Sequence, residues 1–349
     1  MLDIFGLTIG AVVCGADAWT EVEWFGKSKE PWLREFLKLD NGIPSHDTFG
    51  RVFRLLDSQQ FEQAFVVWTQ HLCGSLEDTV AVDGKTLRRS HNGADGRGPI
   101  HMVSVWAHQN QLVLGQTKTG DKSNEINAIP ELLQRLDLRN CTVTIDAMGC
   151  QRRIAQEIVN GGADYVLAVK ENQPNLCDDI ARSFAETSAE PCDYHKTVDK
   201  DHGRIETREC WVSTDTPATG RDGDWPHLNA IAMVRNTTER NGKTATQTRY
   251  YITSLAGPTA ETLLARVRGH WGIENCLHWV LDVAFNEDQC RVRTKNAAQN
   301  FAILRHIALN LVKQDKKHKG SVRGKRKRAG WDNQYLRYLL TLLANPDPN

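Results

Sequence analysis

The sequence has no hydrophobic run long enough to cross a bilayer as a helix, which takes roughly 20 apolar residues. Low-complexity blocks are also absent, and 40% hydrophobic with 25% charged residues is typical of a globular protein rather than a disordered chain or a fibre. The apolar start does not predict a signal peptide, because it lacks a basic beginning and Asp3 and Asp17 bracket it. We therefore predict a cytoplasmic protein with no membrane partner.

Paired cysteine motifs are missing as well. The nine cysteines are odd in number and scattered, and none has the Cys-x-x-Cys spacing of zinc or redox sites. This pattern predicts reduced thiols in a cytosolic protein.

The formal net charge is zero, but the positive and negative charges are unevenly distributed along the chain. Residues 289–328 carry thirteen Lys and Arg against one acid, Asp315, so the rest of the chain is acidic. A cationic end on an acidic body favours a polyanionic partner. Eight of these cations fall in KKHKGSVRGKRKR at 316–328, which has no apolar periodicity. The sequence predicts a mobile basic arm there, ordered only on its partner.

Residues 1–78 predict a small all-helical domain, with helices near 5–14, 18–25 and 31–37, one after Ser45, and one over 59–72. A helix-turn-helix DNA reader ending in the helix 46–56 is one interpretation, and a docking or scaffold domain is the other. Twelve acids against six bases is the wrong sign for a dominant DNA contact.

From Thr79 the pattern changes to strands. Three β-prone runs at 79–86, 101–108 and 111–119 are followed by helix, strand, helix and strand, which predicts a mixed α/β sheet with flanking helices. Short β-prone pieces over about 190–255 predict a β-rich insertion packed beside the main sheet. The predicted domains are residues 1–78, 79–315 with the insertion, and a basic C-terminal arm with a short helix over 316–349.

Residues 260–282 predict a long helix with an acid on its apolar stripe. The stripe passes through Val267, Trp271, Glu274 and His278 in steps of four, three and four residues. Glu274 is expected to point inward and to need a partner, because a buried charge is costly. Two alternatives stay open. In the first, Glu274 lies at a helix edge and reaches water. In the second, His270, Glu274 and His278 are the metal ligands of a zinc hydrolase.

Two further acids close apolar strands. Asp83 ends TVAVD and Asp146 ends TVTID, and open α/β sheets hold ligands at strand ends. An Asp in such a place is more often a turn or cap residue. Together with Glu274, however, the two could meet at one edge of the sheet. Three acids without cysteine suit Mg²⁺ or Mn²⁺, and two such ions would assist phosphoryl transfer.

Several stretches together resemble a known family. They are DGKTLR at 83–88, KSNEI at 122–126, TIDAMGCQ at 144–151, HGR at 202–204, HWGIEN at 270–275, LHW at 277–279 and NED at 286–288. On these motifs the chain resembles insertion-sequence transposases of the DDE type, specifically the H-repeat-associated proteins, over nearly its whole length.

The resemblance implies an RNase H-like fold whose β-rich insertion precedes the last catalytic helix. It implies Asp83, Asp146 and Glu274 as a catalytic triad that binds Mg²⁺ or Mn²⁺, two ions in number. The implied reaction cleaves double-stranded DNA at element ends and joins the 3′-hydroxyl to target DNA, in at least a homodimer near the nucleoid of a bacterial cytosol. A catalytically decayed or domesticated DNA-binding relative is the alternative, and the intact acids favour the enzyme.

The chain also departs from a related group of DDE enzymes. That group has Tyr-x-x-Arg-x-x-x-Glu and a Lys seven residues later, where this chain has Val267, His270 and Leu281. Phosphate contacts are therefore expected elsewhere, and family members are expected to begin with further N-terminal residues. Trp271 and Trp279 are candidates for stacking on an unpaired base. The predicted DNA-contacting residues are Lys85, Arg88, Arg204, His270, Asn275, Arg291, Arg293, Lys295, Lys316, Lys317, Lys325, Arg326, Lys327 and Arg328.

Overall fold

The computed structural model describes residues 1–74, 76–91, 98–119, 125–186, 193–201, 203–217 and 225–343. Some predicted features lie outside the described residues: Lys122 to Asn124, Cys192, His202 and the end of the C-terminal arm. The eight cysteines that are described are free thiols.

Four helices open the chain: α1 (Leu2–Cys14), α2 (Trp19–Leu33), α3 (His46–Leu55) and α4 (Ser58–Cys73). The two helices predicted at 18–25 and 31–37 are one helix, α2, because Pro31 lies in its last turn and removes only one backbone hydrogen bond. Ser45 occupies the N-cap of α3 without a side-chain capping bond. Residues 34–45 separate α2 from α3, which is too long for the turn of a helix-turn-helix, so that alternative is wrong.

One side of the sheet has the mixed arrangement that the sequence predicts. Its strands are β1 (Thr79–Thr86), β2 (His101–Ala107), β3 (Leu112–Lys118), β4 (Thr142–Ile145) and β5 (Asp164–Val169). They lie in the order β3-β2-β1-β4-β5, with β1 antiparallel to β2 and parallel to β4. One face packs under α5 (Glu125–Leu133), α6 (Arg152–Asn160) and α7 (Pro174–Glu186). There Val82 and Ile145 are buried with Ile129 and Ile154.

The β-rich insertion is part of the same sheet. It consists of β6 (Asp193–Asp201), β7 (Arg204–Ser213), β8 (Ala230–Arg240) and β9 (Lys243–Thr253). β9 pairs antiparallel with β5, so the sheet has nine strands. The predicted β-rich insertion thus lies beside the main strands by extending their sheet, a pairing that the sequence pattern does not specify. Without β9, β5 would expose a row of unpaired backbone groups at the sheet edge.

The long helix predicted at 260–282 is interrupted. α8 (Ala260–His270) is followed by a π-helical turn, Glu274–His278, and then by α9 (Trp279–Phe285). A π turn holds extra backbone, which rotates the side chains that follow it. Trp271, before the turn, is 44% exposed, and the Glu274 side chain at its start is 51% exposed, whereas Leu277 within it is fully buried. The expectation that Glu274 points into the core is wrong.

The basic stretch is a packed helix, not a mobile arm. α10 (Ala297–Gln314) is followed by α11 (Val322–Trp331) and α12 (Asn333–Thr341). Arg326 is buried, donates to the Val12 carbonyl oxygen at 2.7 Å and lies 3.8 Å from the ring centroid of Phe285. Lys325 donates to the Asp315 carbonyl oxygen at 2.6 Å. The helix is anchored by the charged groups of cationic side chains, which an apolar periodicity does not reveal.

The first and last helices share one apolar core. Leu7 and Val12 of α1 are buried in the same cluster as Leu304 of α10, Leu336 and Leu339. The division into residues 1–78, 79–315 and 316–349 stays a prediction.

Among the described helices, no single one is both long and apolar enough to cross a membrane. α1 and α2 meet the length and composition together, but they are bent by 99° at the break between them.

Candidate active site

Two parallel strands bring the first two acids to one face of the sheet. Side chains alternate along a strand, so Asp83 shares the face of Ala81, which packs in the helical core on that side. In the pairing of β1 with β4, Ala81 lies opposite Thr144, and Asp146 follows two residues later. Asp83, Asp146 and Glu274 line one pocket of about 170 Å³.

The π-helical turn supplies the third acid. It carries Glu274 at its start and the buried His278 at its end. Gly272, just before the turn, allows the helix to lie close to the sheet, since a Cβ there would overlap the imidazole of His108. The interruption of the helix therefore sets where Glu274 and His278 point.

Asp83, Glu274 and His278 form the tightest group of donors. His278 Nδ1 lies 3.6 Å from Asp83 Oδ2 and 3.7 Å from Glu274 Oε2. One donor atom from each lies within 4.8 Å of the others, an arrangement found for no other such group in the described part of the chain. The predicted zinc row is not formed, because His270 Nδ1 lies 3.2 Å from Thr144 Oγ1 instead of joining the group.

Asp146 lines the pocket but stands outside this group. Its Oδ1 accepts hydrogen bonds from the N–H groups of Met148 at 3.1 Å and Gly149 at 3.4 Å, which caps the short turn Ala147–Gly149. The structure thus brings two of the three predicted acids together and places the third on the pocket wall.

The electrostatics of the pocket follow from crowded carboxylates. Burial raises the pKa of Asp83; His278 opposes this shift and the carboxylate of Glu274 adds to it. The pKa of Glu274 is lowered, chiefly by the side chain of His278. A cation between the two carboxylates would offset their repulsion.

Lys85, predicted to contact DNA, bonds to groups inside the fold. Its Nζ donates to Glu287 Oε2 at 2.9 Å, to the carboxylate of Asp282, and to the His278 carbonyl oxygen at 3.4 Å. Its side chain is 13% exposed. Lys85 follows Asp83 by two residues on the same strand face, so it ties β1 to the helix that carries Glu274 and His278.

Three predicted DNA-contacting residues surround the pocket. His270 lines it, whereas Arg204 and Asn275 line an adjoining groove of about 550 Å³ between α8 and strands β7 to β9, here called the insertion groove. Arg249 and Trp271 line both. The guanidinium of Arg249 lies 4.9 Å from the ring centroid of Trp271, so a cation and an aromatic ring connect the two cavities.

The remaining predicted cations do not line the pocket. Arg88 is exposed and pairs with Asp288 at 3.2 Å. Arg291 and Arg293 line a separate groove, and Lys295 lines a shallow depression beside Lys118. The exposed members of the basic stretch include Lys316, Lys317, Lys327 and Arg328, whereas Lys325 and Arg326 bond inside the fold.

Some residues of the pocket are not among those predicted from the sequence. Lys170 follows β5 as Asp146 follows β4, so the rule of strand ends could have found it. Arg249 and Tyr251 reach the pocket only because β9 pairs with β5, a contact across a long stretch of chain. The sequence pattern places His278 only in the alternative of a zinc site with His270.

Comparison with known proteins defines the class of protein. A family model described as a transposase DDE domain matches residues 74–311, and one described as DDE_Tnp_1-associated matches residues 1–69. The chain belongs to the insertion-sequence transposases of the DDE family.

Individual relatives narrow this class to the H-repeat-associated kind. The H repeat-associated putative transposase YhhI of Escherichia coli K12 is 40% identical over 348 residues, which cover 97% of this chain and 91% of that protein. The putative transposase YncI of Escherichia coli O157:H7 is 42% identical over 346 residues, with 97% and 88% covered. An uncharacterized protein in the dhlA 3′ region of Xanthobacter autotrophicus is 47% identical over 256 residues, with 72% and 86% covered.

Among solved structures, the chain is similar to a piggyBac transposase determined as a synaptic complex with hairpin DNA. The TM-score is 0.45 at 12% identity, and the match covers 99% of this chain and 76% of that chain.

Proposed function

We propose that this chain cuts DNA at the ends of its insertion element and joins the freed 3′-hydroxyl to target DNA, using divalent metal. One observation carries the proposal: Asp83, Asp146 and Glu274 line a single pocket in a chain of the DDE family. We infer that the order β3-β2-β1-β4-β5, on one side of the sheet, is the RNase H-like core that the family resemblance implies.

The donor set fits a divalent cation. Asp83 and Glu274 offer carboxylate oxygens on either side of His278 Nδ1, and Asp146 lies on the same pocket wall. Oxygen-rich sites of this kind hold Mg²⁺ or Mn²⁺. When bound, one or two such ions stabilise the charge on the attacking and leaving oxygens of a phosphodiester.

The reaction consists of two displacements at phosphorus. In the first, water attacks a phosphodiester at the element end, and the P–O3′ bond breaks to leave a 3′-hydroxyl and a 5′-phosphate. In the second, this 3′-hydroxyl attacks a target phosphodiester, forms a new P–O bond and displaces the 3′-hydroxyl of the target strand. Lys170 and Arg249 are placed to bind phosphate oxygens. Trp271, 44% exposed, offers a ring face to an unpaired base.

The insertion groove is the proposed binding site for the end of the DNA duplex, because it opens beside the carboxylates and is lined by Arg204, Asn275 and Arg249. Joining two element ends to one target requires two active sites, so the active complex is at least a homodimer. The same proposal places the protein in the bacterial cytosol near the nucleoid.

The test is nicking of a supercoiled plasmid that carries the DNA flanking this gene. Wild-type protein should nick with Mg²⁺ or Mn²⁺, and Asp83→Asn should not. Asp137→Asn is the matched control, because Asp137 is an exposed carboxylate that pairs with Arg139 and does not line the pocket. Binding without nicking under any metal would identify a decayed DNA-binding relative, and nicking with Zn²⁺ alone would indicate a zinc hydrolase.

Metal binding can be measured without DNA. An ion that binds only the folded state raises the melting temperature, and the increase grows with the logarithm of its concentration above Kd. Mg²⁺ should therefore stabilise the wild-type protein and do little for Asp83→Asn. Equal stabilisation of both proteins would place the metal elsewhere.

A further inference from the structure

A second groove lies between α3 and the segment 291–297. Its volume is about 750 Å³, against about 170 Å³ for the carboxylate pocket. Arg51 and Arg54 extend from α3, and Arg291 and Arg293 lie on the opposite wall. These four residues define the arginine groove, which the proposed cleavage chemistry does not use.

The arginines of this groove are largely without anionic partners. None of the ion pairs between described residues involves Arg51, Arg54 or Arg291, and Arg54 Nε is buried without a hydrogen-bond partner in that part of the chain. Arg293 Nε donates to the Arg89 carbonyl oxygen at 2.8 Å, which fixes that guanidinium in place. Guanidinium groups that line one groove repel one another and favour an anion between them.

Two acids line the same groove and do not neutralise it. The Asp17 side chain is largely buried, which raises its pKa. Asp47 is highly exposed and lies 3.6 Å from Nε2 of His46. Four guanidinium groups therefore face two carboxylates, of which only Asp47 is fully in solvent.

Neutral donors lie between the arginines. Ser45 and Thr48 line the groove at the start of α3, with their hydroxyl oxygens 3.3 Å apart. The N–H group of His46, the first of α3, donates to Glu23 Oε2 at 2.8 Å, and those of Thr48 and Phe49 donate to the Ser45 carbonyl oxygen. The neutral donors of the groove are therefore the two hydroxyl groups. Hydroxyl groups and arginines are among the donors that proteins use on DNA phosphates.

We propose that the arginine groove binds the sugar-phosphate backbone of duplex DNA, at a distance from the phosphodiester that is cut. This inference rests on the proposed function, since it presumes a DNA substrate. The bond from Arg293 to Arg89 ties one wall to the segment that follows β1, the strand that carries Asp83. DNA held in the groove is thereby held in register with the pocket.

The shape of the groove favours a polymer over a single anion. Its cations stand on two walls of an open channel, so several phosphates of one strand can be contacted at once, each by a planar fork of donors. Contacts of this type position the protein without reading base sequence.

The test is the salt dependence of DNA binding by Arg51→Ser/Arg291→Ser, in which two exposed residues are changed. The probe is a random-sequence duplex, titrated between about 50 and 200 mM salt. Loss of two phosphate contacts should flatten the slope of log affinity against log salt by roughly 2. Arg139→Ser/Arg182→Ser is the matched control: it removes the same charge from residues outside the groove and should leave the slope close to wild type.

An Arg51→Ser/Arg291→Ser slope equal to that of wild type would overturn the proposal. So would an equal flattening by the control, which would show a general charge effect. If inorganic phosphate raises the melting temperature of the wild type but not of the variant while DNA binding is unchanged, the groove takes a free anion and the proposal also fails. Circular dichroism checks folding, and Asp47→Asn gives a second test because it should tighten binding.

Failure of this inference and failure of the proposed function are distinguishable. Mg²⁺-dependent nicking is measured on the same proteins at saturating DNA. Unchanged slopes with nicking intact reject the groove and keep the transposase. A wild-type protein that never nicks rejects the proposed function, whatever the slopes are.

Discussion

Strands β1 to β5 and strands β6 to β9 belong to one sheet but differ in what covers them. Six of the seven residues of β2 are buried, whereas β6 has no buried residue and the first six residues of β9 are exposed. One part of the sheet lies between two layers of helices, and the other projects into solvent. The carboxylate pocket lies where the two parts meet, at the pairing of β5 with β9.

This difference assigns different physical tasks to the two parts. The covered strands hold Asp83 and Asp146 in fixed positions, because a packed core resists displacement. The exposed strands offer polar and cationic side chains such as Arg204 and Arg249 to the insertion groove. Substitutions in the covered part should therefore change chemistry or stability, and those in the projecting part should change DNA affinity.

The largest effect on activity is expected in the carboxylate pocket, where the covered and the projecting strands meet. Glu274→Gln removes the charge of one member of the acidic group, and such members act as a unit, so nicking should fall by at least about a thousandfold. DNA affinity and melting temperature should change little, because the Glu274 side chain is half exposed. Glu261→Gln, also exposed on α8, is the control, and full activity of Glu274→Gln would remove Glu274 from the site.

A substitution at Gly84 tests the difference between the covered and the projecting strands through the stability of the protein. A Cβ on Gly84 would overlap the carboxylate of Glu125 and the imidazole of His101, which bond to each other on the covered face. Gly84→Ala should lower the free energy of unfolding by about 2 to 4 kcal/mol. Gly242→Ala, at a left-handed turn with open space in the insertion, should cost only about 1 to 2 kcal/mol. Denaturant unfolding compares the two, and the reverse order would contradict the comparison.

The buried carboxyl group of Glu62, on α4, should make the stability of the protein depend on pH. Burial raises the pKa of Glu62 from 4.5 to about 7, although Gln299 donates to it at 2.6 Å. A raised pKa in the folded state means that the stabilisation is full below pH 4.5 and is lost as pH rises through about 7. Between about pH 5 and 8 the loss should be about 2 to 3 kcal/mol.

Glu62→Gln should flatten this pH dependence, and Glu239→Gln, exposed on β8 of the insertion, should not. Denaturant midpoints at several pH values give the measurement. Parallel curves for wild type and Glu62→Gln would show that Glu62 is ionised in the folded protein.

The smallest effect is expected in the projecting part. Arg249→Gln removes the guanidinium beside Trp271, so the slope of log affinity against log salt should flatten by about 0.9, the value for one phosphate. Stability should change by no more than about 0.5 kcal/mol. If Arg249→Gln lost as much stability as Gly84→Ala, the insertion would support the fold as much as strands β1 to β5 do.

Local patterns were enough to predict the parts of the site that depend on neighbours in sequence. β1 matches its predicted range because TVAVDGKT is a continuous β-prone run. Asp83 does not close the strand, however, because β1 continues to Thr86 through its pairing with β2. The capped turn after β4 holds Asp146 through bonds from the N–H groups of Met148 and Gly149. Such features depend on a few adjacent residues, which a sequence shows directly.

Features that depend on distant contacts were not predictable. The heptad stripe through Glu274 assumes a regular α-helix, but a π turn begins at Glu274 itself. The role of Lys85 depends on Asp282 and Glu287, almost 200 residues later in the chain. The helix α11 depends on Arg326 finding the Val12 carbonyl oxygen and the ring of Phe285.

The packing of α1 against the last helices has a consequence for synthesis. α1 leaves the ribosome first, but its partners α10 to α12 are made last. At about 5 to 20 residues per second, Leu7 and Val12 wait roughly 20 to 70 seconds for Leu336 and Leu339. A chain that stops before residue 297 keeps an apolar surface open to chaperones and proteases. This core therefore closes only on chains that have been translated almost to the end.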